Sequence, residues 1–312
     1  MTRSRVLLAG RIAITLAIFA ALFSFLPLAD VKDAMARTGW VLWFAVVVCF
    51  GVGHAVASLK WRGLVQATGT TLPTLDALRA HGAGLFANIW LPSIVGGDVV
   101  RAGWIARKHG LAVPAVAGLV DRVLDLVALV VLAGVGALLA GDAELGTAGN
   151  LLRGAGALLA VGIVAGLGVL RVLRPEYLPQ KLRERGGRLL EITDALFARP
   201  GPAARALGLS LSVQFLFVAL NATLGTAIGI DVGLAVWLLA WPLAKIAALA
   251  PVSLGGLGVR EAALAALLLP FGVEGTLAVA QALVWQSVLF AFGGIAGLLA
   301  AVGGGRSAEA AA

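Results

Sequence analysis

The chain reads Leu91-Pro92-Ser93-Ile94-Val95-Gly96-Gly97-Asp98-Val99-Val100-Arg101 at its first helix break. A second stretch, 159 residues later when the two are aligned on their glycine pairs, reads Pro251-Val252-Ser253-Leu254-Gly255-Gly256-Leu257-Gly258-Val259-Arg260-Glu261. Both contain Pro, Ser, Gly-Gly and an Arg four residues after the second Gly. Because proline and paired glycines interrupt helices, each stretch is predicted to end one helix and start another.

The two breaks also indicate which kind of chemical group would bind there. A helix start presents unpaired backbone N–H groups and a partial positive charge, and an Arg on its first turn adds a full one. That combination suits an anionic group such as a phosphate. Two breaks at corresponding positions of two halves are typical of a transporter's binding site.

The composition places the chain in a membrane. Of its 312 residues, 60% are hydrophobic and 13% are charged, with a mean hydropathy of +0.99. Soluble domains have about 45–50% apolar and about 25% charged residues. The net charge of +8 is attributed to cytoplasmic loops, not to nucleic-acid binding.

Catalytic and metal-binding patterns are missing from the sequence. Cys49 is the single cysteine, so no intrachain disulfide can form. The three histidines, His54, His81 and His109, have no metal-ligand spacing, and a structural role is the simpler interpretation. No P-loop or nucleophile elbow occurs. We therefore expect no metal, no cofactor and no enzymatic activity.

Apolar runs predict six full spans, because a spanning helix needs about 20 residues. They lie at about 6–28, 40–59, 113–139, 151–173, 206–229 and 276–303. Shorter helices flank the breaks, at about 75–91 and 98–109, and at about 234–250 and 257–270. Because these arms are short, two re-entrant helical hairpins are predicted, and eight full spans are the alternative.

The basic residues predict the orientation. With the N-terminus in the cytoplasm, inner segments hold 17 Lys and Arg and outer segments hold 3. Eight of the 17 lie in a basic cytoplasmic segment, 171–205, with an amphipathic helix predicted at about 178–197. Both termini are then cytoplasmic. The single transmembrane domain, 1–312, divides into a first half, 1–140, and a second half, 151–303, of inverted topology, with the site near the midplane.

Ionisable residues inside the membrane are functional candidates because each is costly to insert. The predicted substrate-binding residues are Ser93, Gly96, Gly97, Asp98, Arg101, Lys245, Ser253, Gly255, Gly256, Arg260 and Glu261. The alternatives are local: helix capping by Asp98 and by the two serines, and ion pairs of Arg101 with Asp98 or of Arg260 with Glu261.

A separate ion-pair group is predicted on the third span. Asp121 and Asp125 are four residues apart and share a helix face. Arg122 lies three residues before Asp125 and is expected to neutralise it. A structural ion pair near the inner interface is the predicted role of these three residues.

The repeat also makes a geometric prediction. The two Gly-Gly breaks should approach within about 15 Å, the span of a headgroup-sized pocket and one layer of side chains. Glycine is expected there because close backbone packing and positive φ exclude a Cβ. Asp98 and Glu261 are then candidate gate residues that a lipid phosphate displaces.

The two break motifs, Leu91 to Arg101 and Pro251 to Glu261, together with Asp121-Arg122, resemble the lysylphosphatidylglycerol synthase transmembrane, or flippase-like, family. The resemblance covers about residues 5–303. Asp121 stands where that pattern has Glu. Members include the lipid-flipping half of the multiple peptide resistance factor and membrane proteins associated with hopanoid biosynthesis. The resemblance implies a bacterial inner-membrane translocase for a phospholipid, an aminoacyl-phospholipid or a hopanoid-like lipid.

Two alternatives stay open. One is an intramembrane lipid-modifying enzyme with Asp98 or Glu261 as general base. The other is a non-transporting scaffold of a lipid or hopanoid synthesis complex that uses the basic segment 171–205.

Overall fold

The computed structural model describes residues 28–90, 96–140, 154, 200–250 and 258–309, and every regular element within those ranges is helical. The helices are α1 (Leu28–Ala36), α2 (Trp40–Ala67), α3 (Thr74–Trp90), α4 (Gly96–His109), α5 (Ala112–Leu139), α6 (Pro200–Ile228), α7 (Leu234–Ala247), α8 (Val259–Leu268) and α9 (Gly275–Glu309). A 3₁₀ turn, Leu269–Phe271, follows α8.

Four of these helices are long and apolar enough to cross a membrane. They are α2, α5, most of α6 and the first 28 residues of α9. They match the predicted second, third, fifth and sixth spans, which confirms a multi-pass helical membrane protein. The predicted first and fourth spans, 6–28 and 151–173, lie outside the described residues, as does the basic segment up to residue 199.

Two stretches predicted as loops are helical. The segment after the first span contains α1, in which Ala34 is buried and Met35 packs against the main core. α2 continues beyond its predicted end near residue 59 to Ala67, because Trp61, Leu64 and Val65 extend its buried apolar face. The longer α2 carries Lys60 into the protein interior, which matters for the site.

The arms flanking the breaks have close to their predicted bounds. α3 has 17 residues, α4 and α7 have 14 each, and α8 has 10. At about 1.5 Å per residue, the longest arm extends about 26 Å, less than the hydrocarbon core of about 30 Å. Even the longest arm is therefore too short to cross the hydrocarbon core of the bilayer, and any tilt would shorten its reach further.

The packing of the helices is nearly the same in the two sets α2–α5 and α6–α9. α3 packs on α9, and α7 packs on α5, so each longer arm lies against the last helix of the other set. α2 packs on α6 between the sets. Exchanging the two sets turns each packed pair among these eight helices into another packed pair. The two sets are therefore interleaved and are not separate lobes.

Glycine serves close packing at the first break. Gly97 lies inside α4, and a Cβ there would collide with the carbonyl oxygen of Gly84 and the side chain of Asn88. Gly97 does not have positive φ, so that part of the prediction is wrong at this position. Gly97 belongs to the first turn of α4 and therefore takes helical backbone angles. At the second break, Gly258 has φ 81° at the start of α8.

Candidate functional site

A cavity of about 100 Å³ lies among α2, α3, α4, α5, α6 and α7, so both sets of helices line it. Its ionisable lining comprises His54, His81, Asp98, Arg101, Asp121, Arg122, Asp125 and Lys245. Asn88 and Gln214 supply two amides, and Gly97 brings the start of α4 to the wall. Most of these residues were identified from the sequence as ionisable groups at membrane depth or as part of a break.

Arg101 is held by partners on several helices. Its guanidinium lies 3.1 Å from Asp98, one turn earlier on α4, and 3.3 Å from Asp121 on α5. It also stacks over the ring of Trp61 on α2, 4.5 Å from the ring centroid. Only 5% of its side chain is exposed. Arg101 is therefore a fixed part of the cavity wall, with its charge already shared by two carboxylates.

Lys60 is the partner that the sequence did not identify. Its Nζ lies 3.0 Å from Asp121 Oδ1 and 2.5 Å from Asp125 Oδ1, and donates to Ser210 Oγ at 2.8 Å. The side chain is 1% exposed. It was counted with the inner loop because span two was predicted to end near residue 59. The apolar residues that continue to Val65 were the signal that it lies inside a helix.

Arg122 has a different partner from the predicted one. It donates from Nε to Asp98 Oδ2 at 2.6 Å, and the nearest cation to Asp125 is Lys60. Successive residues of an α-helix are rotated by about 100°. Asp121 and Asp125 therefore face Lys60 together, while Arg122 faces the start of α4. The Arg122 side chain is 43% exposed, so its pair with Asp98 forms the open edge of the cavity.

The two histidines connect Arg101 to the opposite wall. Arg101 Nη1 donates to His81 Nδ1 at 3.4 Å, and the ring nitrogens His81 Nε2 and His54 Nδ1 lie 3.1 Å apart. Because a guanidinium only donates, His81 Nδ1 accepts and the ring donates from Nε2 to His54. Both rings thus serve as neutral links in a directed chain of hydrogen bonds.

Lys245 projects from α7 near Pro242, which lies inside that helix. Its Nζ donates to Gln214 Oε1 at 2.8 Å and lies 5.3 Å from the ring centroid of Phe217. Among the described residues, no carboxylate pairs with this ammonium. Lys245 is therefore the cation of the cavity whose charge is not balanced by a direct partner.

The second Arg of the repeat lies in a different place. Arg260 contacts Glu261 at 2.7 Å, donates to Gln286 and lies 5.8 Å from the Trp241 ring centroid. Glu261 accepts from the Gly258 N–H at 2.7 Å and caps α8. Neither Arg260 nor Glu261 lines the cavity. Ser93, Ser253, Gly255 and Gly256 lie outside the described residues, so the approach of the two Gly-Gly pairs stays a prediction.

The cavity has the groups to bind a polar ligand. Within the described ranges, no group of three His, Cys, Asp or Glu side chains is arranged to hold a metal ion. The carboxylates of the cavity accept from lysine and arginine instead. What remains available to a ligand is therefore hydrogen-bond donors and one cationic charge.

Comparison with protein families gives a match over most of the chain. The family described as "Lysylphosphatidylglycerol synthase TM region" matches residues 8–297. No curated protein gives a significant match. The chain belongs to the lysylphosphatidylglycerol synthase transmembrane family.

Proposed function

We propose that this family member is a lipid translocase of the bacterial inner membrane, with its headgroup site in the Arg101–Lys245 cavity. One observation carries the proposal: a cavity lined by ionisable side chains lies among three membrane-length helices and three shorter arms, and is shared by both sets. An ionisable side chain in a spanning helix costs at least about 2.5–3.5 kcal/mol on insertion scales. Such a cluster is expected where a charged or polar group must be received.

The proposed route keeps the acyl chains in lipid while the headgroup enters the cavity. The Asp98–Arg122 pair stands at the exposed edge and would open to admit it. Gly97 lets α4 start against α3, which keeps the cavity wall thin at that point. In this proposal the two arm pairs are re-entrant hairpins of an inverted repeat, and the equivalent packing of the two sets supports it.

The carboxylates favour binding over catalysis. A general base needs a free lone pair near the proton that it removes. Asp98 contacts two arginines, and Glu261 accepts from Arg260 and from the backbone of Gly258. Both proposed bases are thus engaged with cations or donors. The scaffold alternative gives no use for a charged cavity at membrane depth.

Reconstitution of the purified chain in liposomes tests the proposal. Labelled lipid moving between leaflets, read by quenching of the outer leaflet, is the expected result. Arg101→Gln should slow movement because it removes a cation from the cavity wall. Arg205→Gln, on an exposed position of α6, is the matched control and should not. A covalently altered lipid would favour the enzyme alternative, and bound lipid without movement would favour the scaffold.

Cysteine labelling in cells tests the orientation that translocation requires. On a Cys49→Ser background, a cysteine at Asp142 or Glu274 should react from outside. A cysteine at Arg185 should react only after permeabilisation, because the basic segment is expected in the cytoplasm. Reaction of the Arg185 position in intact cells would reverse the proposed topology.

A further inference from the structure

We infer that the cavity selects a lipid whose headgroup carries one negative charge on a phosphodiester, and that Lys245 is the cation that binds it. The inference rests on the proposed function, because it assigns a substrate class to the same site. It follows from the charges and donors that the protein leaves unused.

The charges around the cavity do not cancel. Four cations meet there, since Lys60 lies directly behind Asp121 and Asp125, and three carboxylates face them. Residues 91–95, which join α3 to α4 in the sequence, have no ionisable side chain. The described part of the chain therefore leaves the cavity one positive charge in excess.

The excess charge can be assigned to one residue. Lys60 is shared by Asp121 and Asp125, Arg101 by Asp98 and Asp121, and Arg122 binds Asp98. These three cations account for the three carboxylates. Lys245 has only the Gln214 oxygen and the face of Phe217. Even a half-buried ammonium without a counter-charge is costly, so an anion placed beside Lys245 is favoured.

The neutral groups of the wall also present donors. The Gly97 N–H donates at 2.8 Å to an Asn88 side-chain atom that must be its oxygen, because a backbone N–H cannot accept. The Lys245 ammonium fixes the Gln214 amide in the same way. Each amide thus has its oxygen occupied, and each NH₂ group has no partner among the described residues. Two amides and one ammonium therefore offer donors, which phosphate oxygens accept.

The excess of one positive charge distinguishes between lipid headgroups of different net charge. A phosphodiester carries one negative charge, whereas a phosphomonoester carries about −1.5 to −2 near pH 7. A monoanion therefore neutralises the cavity and a monoester overcompensates it. A zwitterionic headgroup would also bring a cation, and the three carboxylates that could receive it are already paired. A neutral sugar would leave Lys245 uncompensated.

Lipid binding to the full-length protein in a neutral detergent tests the inference. The probes are phosphatidylglycerol, phosphatidic acid, phosphatidylcholine and a neutral glucosyl-diacylglycerol, each titrated and measured by native mass spectrometry. Phosphatidylglycerol should bind roughly tenfold or more tightly than the other three, as expected for one charge-assisted contact. Equal or tighter binding of phosphatidylcholine or phosphatidic acid would overturn the inference.

Three variants locate the charge. Lys245→Met should weaken phosphatidylglycerol binding roughly 10- to 100-fold, and Lys245→Arg should keep most of it because the charge remains. Lys32→Met is the matched control, since Lys32 is exposed on α1. Size-exclusion chromatography confirms that each variant is folded. Wild-type affinity in a folded Lys245→Met variant would refute the role of Lys245.

Asp98→Asn gives an independent test that does not alter Lys245. It raises the excess charge to two, so the preference should move toward phosphatidic acid. An unchanged ratio of the two lipids would contradict the charge argument. Translocation without headgroup preference would leave the translocase standing and refute this inference. Selective binding of phosphatidylglycerol without translocation would leave this inference standing and refute the translocase.

Discussion

Arg101 and Arg260 follow the same sequence pattern, yet they do different work. Arg101 reaches Asp121 on α5, Trp61 on α2 and His81 on α3, and so connects four helices around a cavity. Arg260 has its carboxylate next to it in the chain, in Glu261, and that carboxylate folds back onto the start of its own helix. The first cluster is shared between helices, whereas the carboxylate of the second is used locally.

The difference shows what a repeated motif reports. Pro, Ser and Gly-Gly are residues that favour helix ends, and one helix ends and another begins around each motif, α3 and α4 at the first and α7 and α8 at the second. The partners of the Arg come from other helices, where the two sets differ. α5 offers Asp121 to Arg101, while α9 offers the amide of Gln286 to Arg260. The next four experiments test this contrast between a shared and a local cluster.

The largest effect is expected at Lys60. Lys60→Met leaves the buried Asp121 and the half-buried Asp125 on one helix face without their common cation. Breaking a buried ion pair costs about 3–5 kcal/mol, so unfolding in detergent should occur at a much lower temperature. Adding Asp125→Asn to this variant should restore part of the lost thermal stability, because one of the two carboxylates left without Lys60 becomes neutral. A Lys60→Met protein as stable as wild type would show that the shared cluster does not hold the helices together.

The next effect compares the two arginines directly. Arg101→Lys should reduce the free energy of unfolding, or the free energy of lipid binding, by about 2–3 kcal/mol. The reason is that an ammonium cannot contact Asp98 and Asp121 and also stack on Trp61. Arg260→Lys should cost less than about 1 kcal/mol, because its neighbour Glu261 stays within reach. Equal losses in thermal unfolding and in lipid titration would mean that the two positions are equivalent after all.

A smaller effect is expected at the contact of α3 and α4. Gly97→Ala should destabilise by about 1–3 kcal/mol, since the added methyl collides with Gly84 and Asn88. Gly103→Ala, on the same helix, has nothing within 4 Å of its Cβ. It should be neutral or stabilise by up to about 1 kcal/mol, as alanine favours helix. Similar melting temperatures for both variants would show that α4 can move away from α3.

The smallest effect is expected at the local cluster. Glu261→Gln keeps a side-chain oxygen for the Gly258 N–H but removes the charge that pairs with Arg260. Loss of a helix cap costs about 0.5–2 kcal/mol, and part of the cap survives here. Arg260 also keeps the Gln286 oxygen and the face of Trp241, so about 1 kcal/mol or less is expected. Lipid affinity should not change. A strong loss of lipid affinity would place Glu261 in the binding site and make the two clusters alike.

Much of the fold could be predicted because its signals are local. Apolar runs fixed α2, α5, α6 and α9 to within a few residues at most ends, and Pro and Gly marked both breaks. The errors arose where a polar residue is buried by a distant element. In the sequence, the charge of Lys60 indicates the end of a span, whereas in the structure Lys60 lies inside α2 and pairs with Asp125 of α5.

Six ionisable residues of the cavity were predictable, but their pairing was not, and Lys60 was missed. Asp98, Arg101, Asp121, Arg122, Asp125 and Lys245 were identified because ionisable groups in apolar runs are conspicuous. Which acid meets which base depends on how α4 and α5 rotate against each other, and no single helix encodes this. The pairing of Arg122 with Asp98, across two helices, could therefore not be read from spacing along one.

The contact of α3 with α9 has a consequence for biosynthesis. A Cβ on Gly82 would lie 2.8 Å from the carbonyl oxygen of Ala296, so the two helices touch backbone to backbone. About 200 residues separate them in the chain. At about 5–20 residues per second, α3 waits about 10–40 s after its own synthesis before this partner is made. Throughout that interval the apolar face of α3 that α9 will cover has to be shielded by lipid, by α4 or by the insertion machinery, although Lys245 of α7, the last residue along the chain that lines the cavity, has already been made.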